Sequence, residues 1–434
     1  MSRDMGGVSR RRLLKVSGGL LGGIAVGSEV VAAERTDRFV VETRGNAVPG
    51  GVEVVHEMPG VDFAVVEGSK RTLERSRAVR EFAPDVELTL DEPIFDPRRI
   101  EADEATPADE PLYSLQWDKQ VQQLPAAHET TRGEGTRVAV IDAGIPESHP
   151  DFQESLNADL SRDFTGTGTH EPRGVQYHGT HVGGIIAADD NGVGVVGTAP
   201  KTDLVDLRVF PEFGSGASFA DILAAIVYAT NVDSDVANLS LGAYPVPRQE
   251  LGSFYGKVLN RTMTYANKEG TLLVIAAGND TADLQHDKNL INLPAEGAQG
   301  LAVSATTSIG FGSEEFVNPG YAPATYTNYG TNAITLGAPG GDVPPGGGVP
   351  DLVLNAFPAA AGEFFFGEPV RYAYLAGTSM AAPQVAGAAA LVKSAKPNYN
   401  ANQVEAALKR AADVPDAYDR TYYGAGFLNV VDAL

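Results

Sequence analysis

Apolar and polar positions follow two different rhythms along this chain. From Leu112 onward, short continuous apolar runs alternate with longer stretches that have helical periodicity. The predicted strands are Arg137–Ile141, Asp203–Val209, Val236–Leu239, Leu272–Ala276, Leu301–Ser304 and Ile334–Ala338. The predicted helices are His178–Ala188, Phe219–Thr230, Phe254–Glu269, Ser379–Lys393 and Ala401–Ala411. Continuous apolar strands between helices indicate a sheet covered on both faces, so we predict a three-layer, doubly wound, mostly parallel α/β fold.

The segment before residue 112 has a different pattern. Short β-like runs and one polar helical stretch predict a small α+β module over residues 34–90. The runs are Arg38–Thr43, Val52–Glu57, Phe63–Glu67 and Val86–Leu90, and the helical stretch is Lys70–Arg80. Residues 91–111 carry several Pro and many acidic residues, which predicts an exposed linker. We therefore divide the chain into residues 1–33, 34–90, 91–111 and 112–434.

The first 33 residues have the layout of an export signal. A basic stretch at residues 9–15 precedes a weakly apolar, Gly-rich run, and small residues follow at Ala32 and Ala33. The pair Arg10 and Arg11 resembles a twin-arginine signal, which predicts a secreted, extracellular protein. The apolar run is too short to favour a membrane span in the mature form. A basic tail and an uncleaved signal that acts as an anchor are the alternatives.

The chain of 434 residues carries a formal net charge of −23, which argues against a nucleic-acid partner because nucleic acids require a basic face. Most of its 33 basic residues are Arg. An acidic, Lys-poor composition favours a protein adapted to high salt, where screening removes self-repulsion; an ordinary acidic secreted protein is the alternative. The sequence contains no Cys. Disulfides, thiolate catalysis and Cys-based zinc sites are therefore excluded.

Three polar residues stand at element boundaries. Asp142 ends a predicted strand, His178 begins a Gly-rich helix, and Ser379 precedes an Ala-rich helix. Each has an ordinary structural explanation: Asp142 as a strand-end turn residue and Ser379 as a helix N-cap. His178 and His181, three residues apart, could form a metal pair, but the further strong ligand that a zinc site needs does not lie between them.

Asp, His and Ser in this chain order match one of the known orders of a hydrolytic triad. The segments VIDAG at 140–144, HGTHVGG at 178–184 and GTSMAAP at 377–383 resemble the signature blocks of the subtilisin-like serine peptidases, or subtilases, and in particular the secreted halolysin-type proteases of haloarchaea. The resemblance covers residues 112–434. It implies a serine endopeptidase in which Ser379 attacks the scissile carbonyl, His178 moves the proton, and Asp142 orients the imidazole. A non-catalytic peptide binder and a serine esterase are the competing interpretations.

The same resemblance implies an oxyanion hole and a substrate cleft. Asn279 matches the side-chain oxyanion donor, beside the backbone N–H of Ser379. The residues that match the walls of the cleft are Gly214, Ser215, Gly216, Ser240, Leu241, Gly242, Ala277 and Gly278. An extended peptide would bind there by strand addition, with broad specificity and a preference for hydrophobic side chains at P1. Ala217 and Ser218 stand where many relatives carry an aromatic residue, so the distal pocket is expected to be shallow.

The resemblance also implies a calcium site, because the loop after the His178 helix stands at the family spacing of a calcium-binding loop. The expected ligands are the side chains of Asp151 and Asn191 and the carbonyls of Asp189, Val193 and Val195. Gln116 or Asp109 would complete the shell. A polar turn with a surface Asp is the alternative.

Two positions depart from the family pattern. Gln384 stands where relatives carry His, and Ala143 stands where Ser or Thr is usual after the catalytic Asp. We expect no loss of chemistry from the first and weaker support of Asp142 from the second.

Residues 34–90 resemble the inhibitor-like propeptide of the family. The chain is therefore expected to be a monomeric zymogen that processes itself in the acidic linker and acts on polypeptide substrates. A permanent accessory domain is the alternative for residues 34–90.

Overall fold

The computed structural model describes residues 34–45, 47, 49–89, 94–96, 110–212, 214, 216–287, 289–313 and 316–434. The predicted export signal at 1–33 and most of the predicted linker lie outside the described residues, as do Asp109 and Ser215. Within the described ranges, no helix combines the length and the apolar character needed to cross a bilayer.

The N-terminal module is a small antiparallel sheet with one helix. Its elements are β1 (Glu34–Thr43), β2 (Glu53–Met58), β3 (Phe63–Glu67), α1 (Lys70–Arg75) and β4 (Val79–Thr89). The strand order is β2-β3-β1-β4, with antiparallel pairing throughout. One face of this sheet packs around Leu73 of α1. The other face contributes Val40, Phe63 and Val65 to a core shared with the rest of the protein.

The remainder of the described chain alternates strands and helices. Its elements are β5 (Ile94–Asp96), α2 (Trp117–Val121), α3 (Leu124–His128), β6 (Arg137–Asp142), β7 (Arg162–Asp163), α4 (His178–Ala187), β8 (Asp203–Arg208), β9 (Gly216–Ser218), α5 (Phe219–Asn231), β10 (Val236–Leu239), β11 (Ala243–Pro247), α6 (Arg248–Glu269), β12 (Leu272–Ala276), β13 (Leu290–Leu293), β14 (Gly300–Ile309), β15 (Asn318–Pro323), β16 (Leu336–Pro339), β17 (Val353–Ala356), α7 (Ala359–Phe366), β18 (Tyr372–Ala376), α8 (Thr378–Ala395), α9 (Ala401–Ala411), α10 (Arg420–Tyr423) and α11 (Val430–Ala433).

The main sheet has the order β15-β14-β12-β10-β6-β8-β7, with β16 also paired to β14. The pairs between β12, β10, β6 and β8 are parallel, and β15 is the antiparallel exception. Alternate residues of β6 enter two cores: Val140 packs with α4 and α8, and Ile141 packs with α5 and α6. The predicted three-layer α/β fold with a mostly parallel sheet is confirmed.

Several element boundaries differ from those predicted. Helix α1 ends at Arg75 because the chain extends at Ser76 and joins β4, which pairs with β1. Strand β14 continues to Ile309 because its second half pairs with β15. Strand β5 lies inside the predicted linker and pairs with β18. In each case a distant strand supplies hydrogen bonds that local sequence patterns do not reveal.

The module rests on α5 through buried charges. Arg38 donates to both carboxylate oxygens of Asp221, and His56 Nε2 lies 2.8 Å from Asp221 Oδ1. Asp85 accepts hydrogen bonds from Ala220 N (3.1 Å) and from Ser218 Oγ (2.7 Å) at the start of α5. Burial raises the pKa of Asp85, although these hydrogen bonds oppose the shift. The module is therefore docked by oriented polar contacts as well as by apolar packing.

A second buried polar network joins α2 to α8. Lys119 Nζ donates to Ile185 O (2.9 Å), Thr198 Oγ1 (2.9 Å) and Gln384 Oε1 (2.7 Å). Gln384 Nε2 in turn donates to Asp118 Oδ2 at 2.7 Å, and both Asp118 and Lys119 are fully buried. Burial lowers the pKa of Lys119 to about 8, with the Asp118 charge opposing the shift. Gln384 thus fixes the helix that begins beside Ser379 to the segment that follows the linker.

Substituting Lys119→Ala should destabilise the protein by about 3–5 kcal/mol, because it leaves the Asp118 carboxylate buried without its cation. Urea unfolding of the purified chain measures this change. Lys409→Ala is the matched control, since Lys409 forms an exposed ion pair with Glu405 and should cost less than about 0.5 kcal/mol. A loss at Lys119 no larger than that at Lys409 would contradict the structural role of this network.

Candidate active site

The candidate residues meet at the carboxyl ends of three adjacent strands. Asp142 is the last residue of β6, Ser240 follows β10, and Asn279 follows β12. Because β6, β10 and β12 are neighbours in parallel register, their carboxyl ends lie along one edge of the sheet. Helices α4 and α8 add His178 and Ser379 at their first turns. Ligands bind at this edge in open α/β sheets.

Asp142 and His178 form a direct, shielded contact. His178 Nδ1–H donates to Asp142 Oδ1 at 2.8 Å, and the same oxygen accepts from Ala143 N at 2.7 Å. Asp142 is fully buried, and the His178 side chain is only slightly exposed. Since Nδ1 carries the proton, the lone pair of the ring lies on Nε2. His178 Nε2 has no hydrogen-bond partner among the described residues.

Two glycines allow α4 to approach the end of β6. A Cβ atom at Gly179 would lie 2.7 Å from Gly144 N and 2.9 Å from Ala143 N. Gly144 has a φ of +107°, a conformation that disfavours other residues. The helix that carries His178 therefore reaches Asp142 only because both positions lack side chains.

Ser379 lies in the first turn of α8, whose N-cap is Gly377. Its Oγ donates to Ser240 O at 3.3 Å, and Ser240 Oγ donates to Ser379 O at 2.8 Å. The hydroxyl therefore does not cap the helix, and the interpretation of Ser379 as a simple N-cap residue is wrong. The N-terminal end of α8 carries the positive end of the helix dipole, which favours negative charge beside Ser379.

Asn279 has one defined orientation. Its Oδ1 accepts hydrogen bonds from Thr378 N and Thr378 Oγ1, both at 2.9 Å. Thr378 Oγ1 also accepts from Gly278 N at 3.0 Å, so Gly278 and Asn279 are tied to the residue before Ser379. With its carbonyl oxygen used in this way, the Asn279 amide presents its NH2 group as the available donor.

The predicted cleft residues occupy several different environments. Gly214 O accepts from Gln176 Nε2 at 3.1 Å, whereas Gly216 begins β9. Leu241 is buried in the core on the α5 side, so it does not offer its side chain to a cleft. Ala277 O accepts hydrogen bonds from the side-chain amides of Asn292 and Asn328. A Cβ atom at Gly242 would lie 3.5 Å from Asn292 Oδ1.

The chain itself pairs with two strands of this region. Glu87, Leu88 and Thr89 of β4 pair antiparallel with β9, opposite Ser218, Ala217 and Gly216. Further along, β5 pairs antiparallel with β18, which ends three residues before Ser379. The edge of β9 is thus occupied by strand β4 of the same chain, and Gly216 is the residue that β9 shares with the predicted Gly214–Gly216 edge.

His181 lies in a different environment from His178. Its Nε2 lies 3.2 Å from both Val353 O and Ala373 O, and the ring is fully buried. Burial lowers the pKa of His181 to about 3, so it is neutral under ordinary conditions. Among the described residues, no group of three or more His, Asp or Glu side chains is arranged to hold a metal ion. His181 is therefore a structural residue that fixes β17 and β18 to α4.

The residues predicted to bind calcium lie together around the loop after α4. Asp151 is fully buried; its oxygens accept from Val195 N (3.2 Å) and Tyr372 OH (3.0 Å). Asn191 Oδ1 accepts from Val193 N at 3.0 Å. The Asp189 carboxylate accepts hydrogen bonds from Glu154 N and Ser155 N, so its side chain is already used within the loop.

The Asp151 carboxyl has an unusual proton affinity. Burial raises its pKa to about 7, and the nearby carboxylates of Glu110 and Asp189 add to the shift. Glu110 was missed in the sequence, where it appeared to belong to the linker. Its Oε1 accepts from Gly192 N at 2.8 Å, whereas Gln116 bonds to both Val196 N and Val196 O. The carboxylates of Asp151 and Glu110 and the amide of Asn191 are oxygen donors of the type that Ca²⁺ takes, and two carboxylates are fewer than the three acidic or His side chains that are nowhere grouped for a metal among the described residues.

The family model and the curated relatives of this chain all belong to one class of protein, the proteases. A family model described as the Subtilase family matches residues 133–426. Subtilisin Savinase of Lederbergia lenta is 34% identical over 73% of this chain and 97% of its own length. An alkaline protease of Alkalihalobacillus alcalophilus is 31% identical over 93% of this chain and 87% of its own length.

Solved structures give the same fold. A lanthipeptide protease aligns with a TM-score of 0.61 at 28% identity, covering 74% of this chain and 93% of its own. A variant of an epidermin leader peptide processing serine protease from Staphylococcus aureus aligns with a TM-score of 0.71 at 20% identity. That alignment covers 91% of this chain and 98% of the other, and it supports the fold alone.

Proposed function

This chain belongs to the subtilase family and is a serine endopeptidase, and from that premise we propose that Asp142, His178 and Ser379 are its catalytic triad. The observation that carries the proposal is the 2.8 Å contact between His178 Nδ1 and Asp142 Oδ1. It leaves the basic Nε2 atom of His178 buried and without a partner among the described residues.

In the proposed reaction, Ser379 Oγ attacks the scissile carbonyl and His178 Nε2 takes its proton. The Ser379 hydroxyl first has to turn away from Ser240 O, because catalytic hydrogen bonds of this kind often form only with substrate bound. His178 then protonates the leaving amine, and water repeats the sequence on the acyl-enzyme. Asp142 stabilises the imidazolium and holds the ring in the required tautomer.

The tetrahedral intermediate would be stabilised by the NH2 group of Asn279 and the backbone N–H of Ser379. The two hydrogen bonds from Thr378 to Asn279 Oδ1 support this role, because they orient the amide before substrate arrives. Preorganised donors avoid reorganisation at the moment of reaction, which is the source of their effect on rate.

Substrate would bind as an added strand on β9, with Ser240, Gly242, Ala277 and Gly278 near the primary pocket. Small residues on that wall favour a hydrophobic side chain at P1. The pairing of β4 with β9 supports the strand-addition mode. A peptide library in which cleavage after Lys or Arg dominates would contradict the hydrophobic preference.

The N-terminal module would be an intramolecular inhibitor that self-processing removes. Its strand β4 takes the edge of β9 that a substrate needs, and Arg38 and Asp85 dock it on α5. We further propose export through the signal at 1–33, action outside the cell as a monomer, and adaptation to high salt. These last proposals rest on the sequence.

We also propose a structural calcium ion held by Asp151, Glu110 and Asn191 side chains and by carbonyls of residues 189, 193 and 195. The raised pKa of Asp151 supports this, because a bound cation would favour the charged carboxylate that burial disfavours. The ion would stabilise the loop after α4.

Replacing Asn279→Ala should lower kcat by about 10²–10³-fold with folding intact, since one oxyanion donor is lost. Hydrolysis of a chromogenic peptide anilide with Phe at P1 measures the effect. Ser379→Ala should abolish hydrolysis, whereas the control Asn402→Ala, at an exposed amide paired with Asn267, should match wild type. Full activity in Asn279→Ala would remove Asn279 from the mechanism.

Chelation should speed heat inactivation, and more so at pH 8.5 than at pH 6. The pKa of Asp151 is about 7 without metal, so above that pH the folded, metal-free protein contains an uncompensated buried carboxylate, whereas below it the carboxyl is protonated. Asp151→Asn should abolish the response to chelator, and Asp283→Asn, at a half-buried carboxylate that pairs with His286, should keep it. Identical inactivation curves with and without chelator would refute the calcium site.

Wild type should yield a mature form that begins within residues 91–111, because the proposed nucleophile cuts the linker. Ser379→Ala should retain the module. N-terminal sequencing and mass measurement of both products decide this. A stable active enzyme that begins near Glu34 would show that the module is permanent.

A further inference from the structure

A second carboxylate–imidazole pair lies beside the proposed triad. His170 Nδ1 is 2.9 Å from Asp206 Oδ2; Asp206 is fully buried, and His170 is 9% exposed. No step of the mechanism above uses either residue. Burying a carboxylate costs free energy unless it is paired. A buried titratable pair beside the proposed active site is therefore a candidate for a functional role.

Asp206 points to the same face of the sheet as Asp142. In the parallel pairing of β6 with β8, Asp206 stands opposite Val140, and Asp142 stands opposite Arg208. Because side chains alternate along a strand, these four residues project to one face, which α4 covers. The Asp206 carboxylate therefore lies one strand away from Asp142, on the side of the sheet where His178 is located.

Asp206 also holds the loop that follows Asp142. Its Oδ2 accepts a hydrogen bond from Ile145 N at 2.8 Å. A Cβ atom at Gly144 would lie 2.6 Å from His170 O and 2.5 Å from Pro172 N, so the two loops are in direct contact. The loop at residues 143–145 is thus confined between the His170 segment and the start of α4. Asp206 supplies its hydrogen bond at Ile145 N, and Thr180 Oγ1 donates to Gly144 O.

Charged groups interact with the pair from three sides. They are Asp142 on β6, Arg208 on β8, and Glu147, whose Oε1 lies 3.2 Å from His170 Nε2. Asp163 on β7 pairs with Arg208. Asp206 Oδ1 has no hydrogen bond among the described residues. Burial raises the pKa of Asp206 to about 6, with His170 opposing and Asp142 adding to the shift. Although burial opposes its charged form, hydrogen bonds to Asp206 and Glu147 raise the pKa of His170.

We propose that Asp206 is a positioning residue for Asp142, and that its charge, partly balanced by His170, contributes to the pH dependence of the reaction. The hydrogen bond from Ile145 N fixes the loop next to Asp142, and the negative charge of Asp206 lies one strand away from Asp142, where it favours positive charge that develops in the triad during the reaction. This inference rests on the proposed triad.

Two substitutions separate the two effects. Asp206→Asn keeps an acceptor for Ile145 N but removes the negative charge. The acid limb of the kcat/KM profile should therefore move to lower pH, by up to about one pH unit for a buried charge on the neighbouring strand. Asp206→Ala removes the acceptor as well, so kcat should fall about tenfold or more at every pH. The matched control is Asp203→Asn, the same change at the start of β8, where the carboxylate pairs with Arg137.

The experiment is a kcat/KM profile from pH 5 to pH 10 on a peptide anilide for wild type and the three variants. Support requires the shift in Asp206→Asn, the loss in Asp206→Ala and an unchanged profile in Asp203→Asn. Coincident acid limbs for wild type and Asp206→Asn, or wild-type kcat in Asp206→Ala, would overturn the inference. If Asp206→Ala does not fold, the Asp206→Asn profile decides alone. Absence of hydrolysis in wild type would overturn the proposed function as well, whereas an active wild type with unshifted Asp206→Asn overturns only this inference.

Discussion

The parallel pairing of β6, β10 and β12 is the constraint on which the site depends. Parallel strands end at the same edge, so Asp142, Ser240 and Asn279 meet there although about 140 residues of chain separate the first from the last. The two cores on either side of the sheet keep these strands in register, since a slip of one residue would turn Asp142 to the opposite face. The geometry of the proposed active site is in this sense a property of the whole sheet.

Close approach of backbones is the second constraint, and it explains the small residues around the site. The start of α4 can reach the end of β6 only with no side chain at Gly179 and Gly144. Once this approach is made, the Asp142 carboxylate is cut off from water and His178 is its partner. A low local dielectric strengthens such a contact, and it is the reason why the buried charge of Asp206 is proposed to affect the same site.

The sequence was informative where function depends on local pattern. Continuous apolar strands predicted the sheet, and the blocks around Asp142, His178 and Ser379 predicted the residues that meet at its edge. It was uninformative where a side chain acts across the fold. In the sequence, Glu110 belongs to an acidic linker, and only the fold brings it against Gly192 in the loop after α4. Asp206 is one polar residue in a predicted strand, and only the fold pairs it with His170. The pairing of β5 with β18 likewise has no local signal, because three residues gain a strand conformation only from their partner.

The docking of the module combines contacts that respond differently to salt. Lys257 and Arg261 on α6 pair with Glu42, Glu81 and Asp62 of the module at partly exposed sites, where ions screen the attraction. The Arg38–Asp221 pair is almost fully buried and is screened much less. In concentrated salt, the module would therefore be held by its apolar face, its buried Arg38 and Asp85 contacts, and the strand pairing of β4 with β9. The last of these contacts lies on the edge where the proposed substrate strand would bind, and its backbone hydrogen bonds do not depend on surface charge, even in a chain with a net charge of −23.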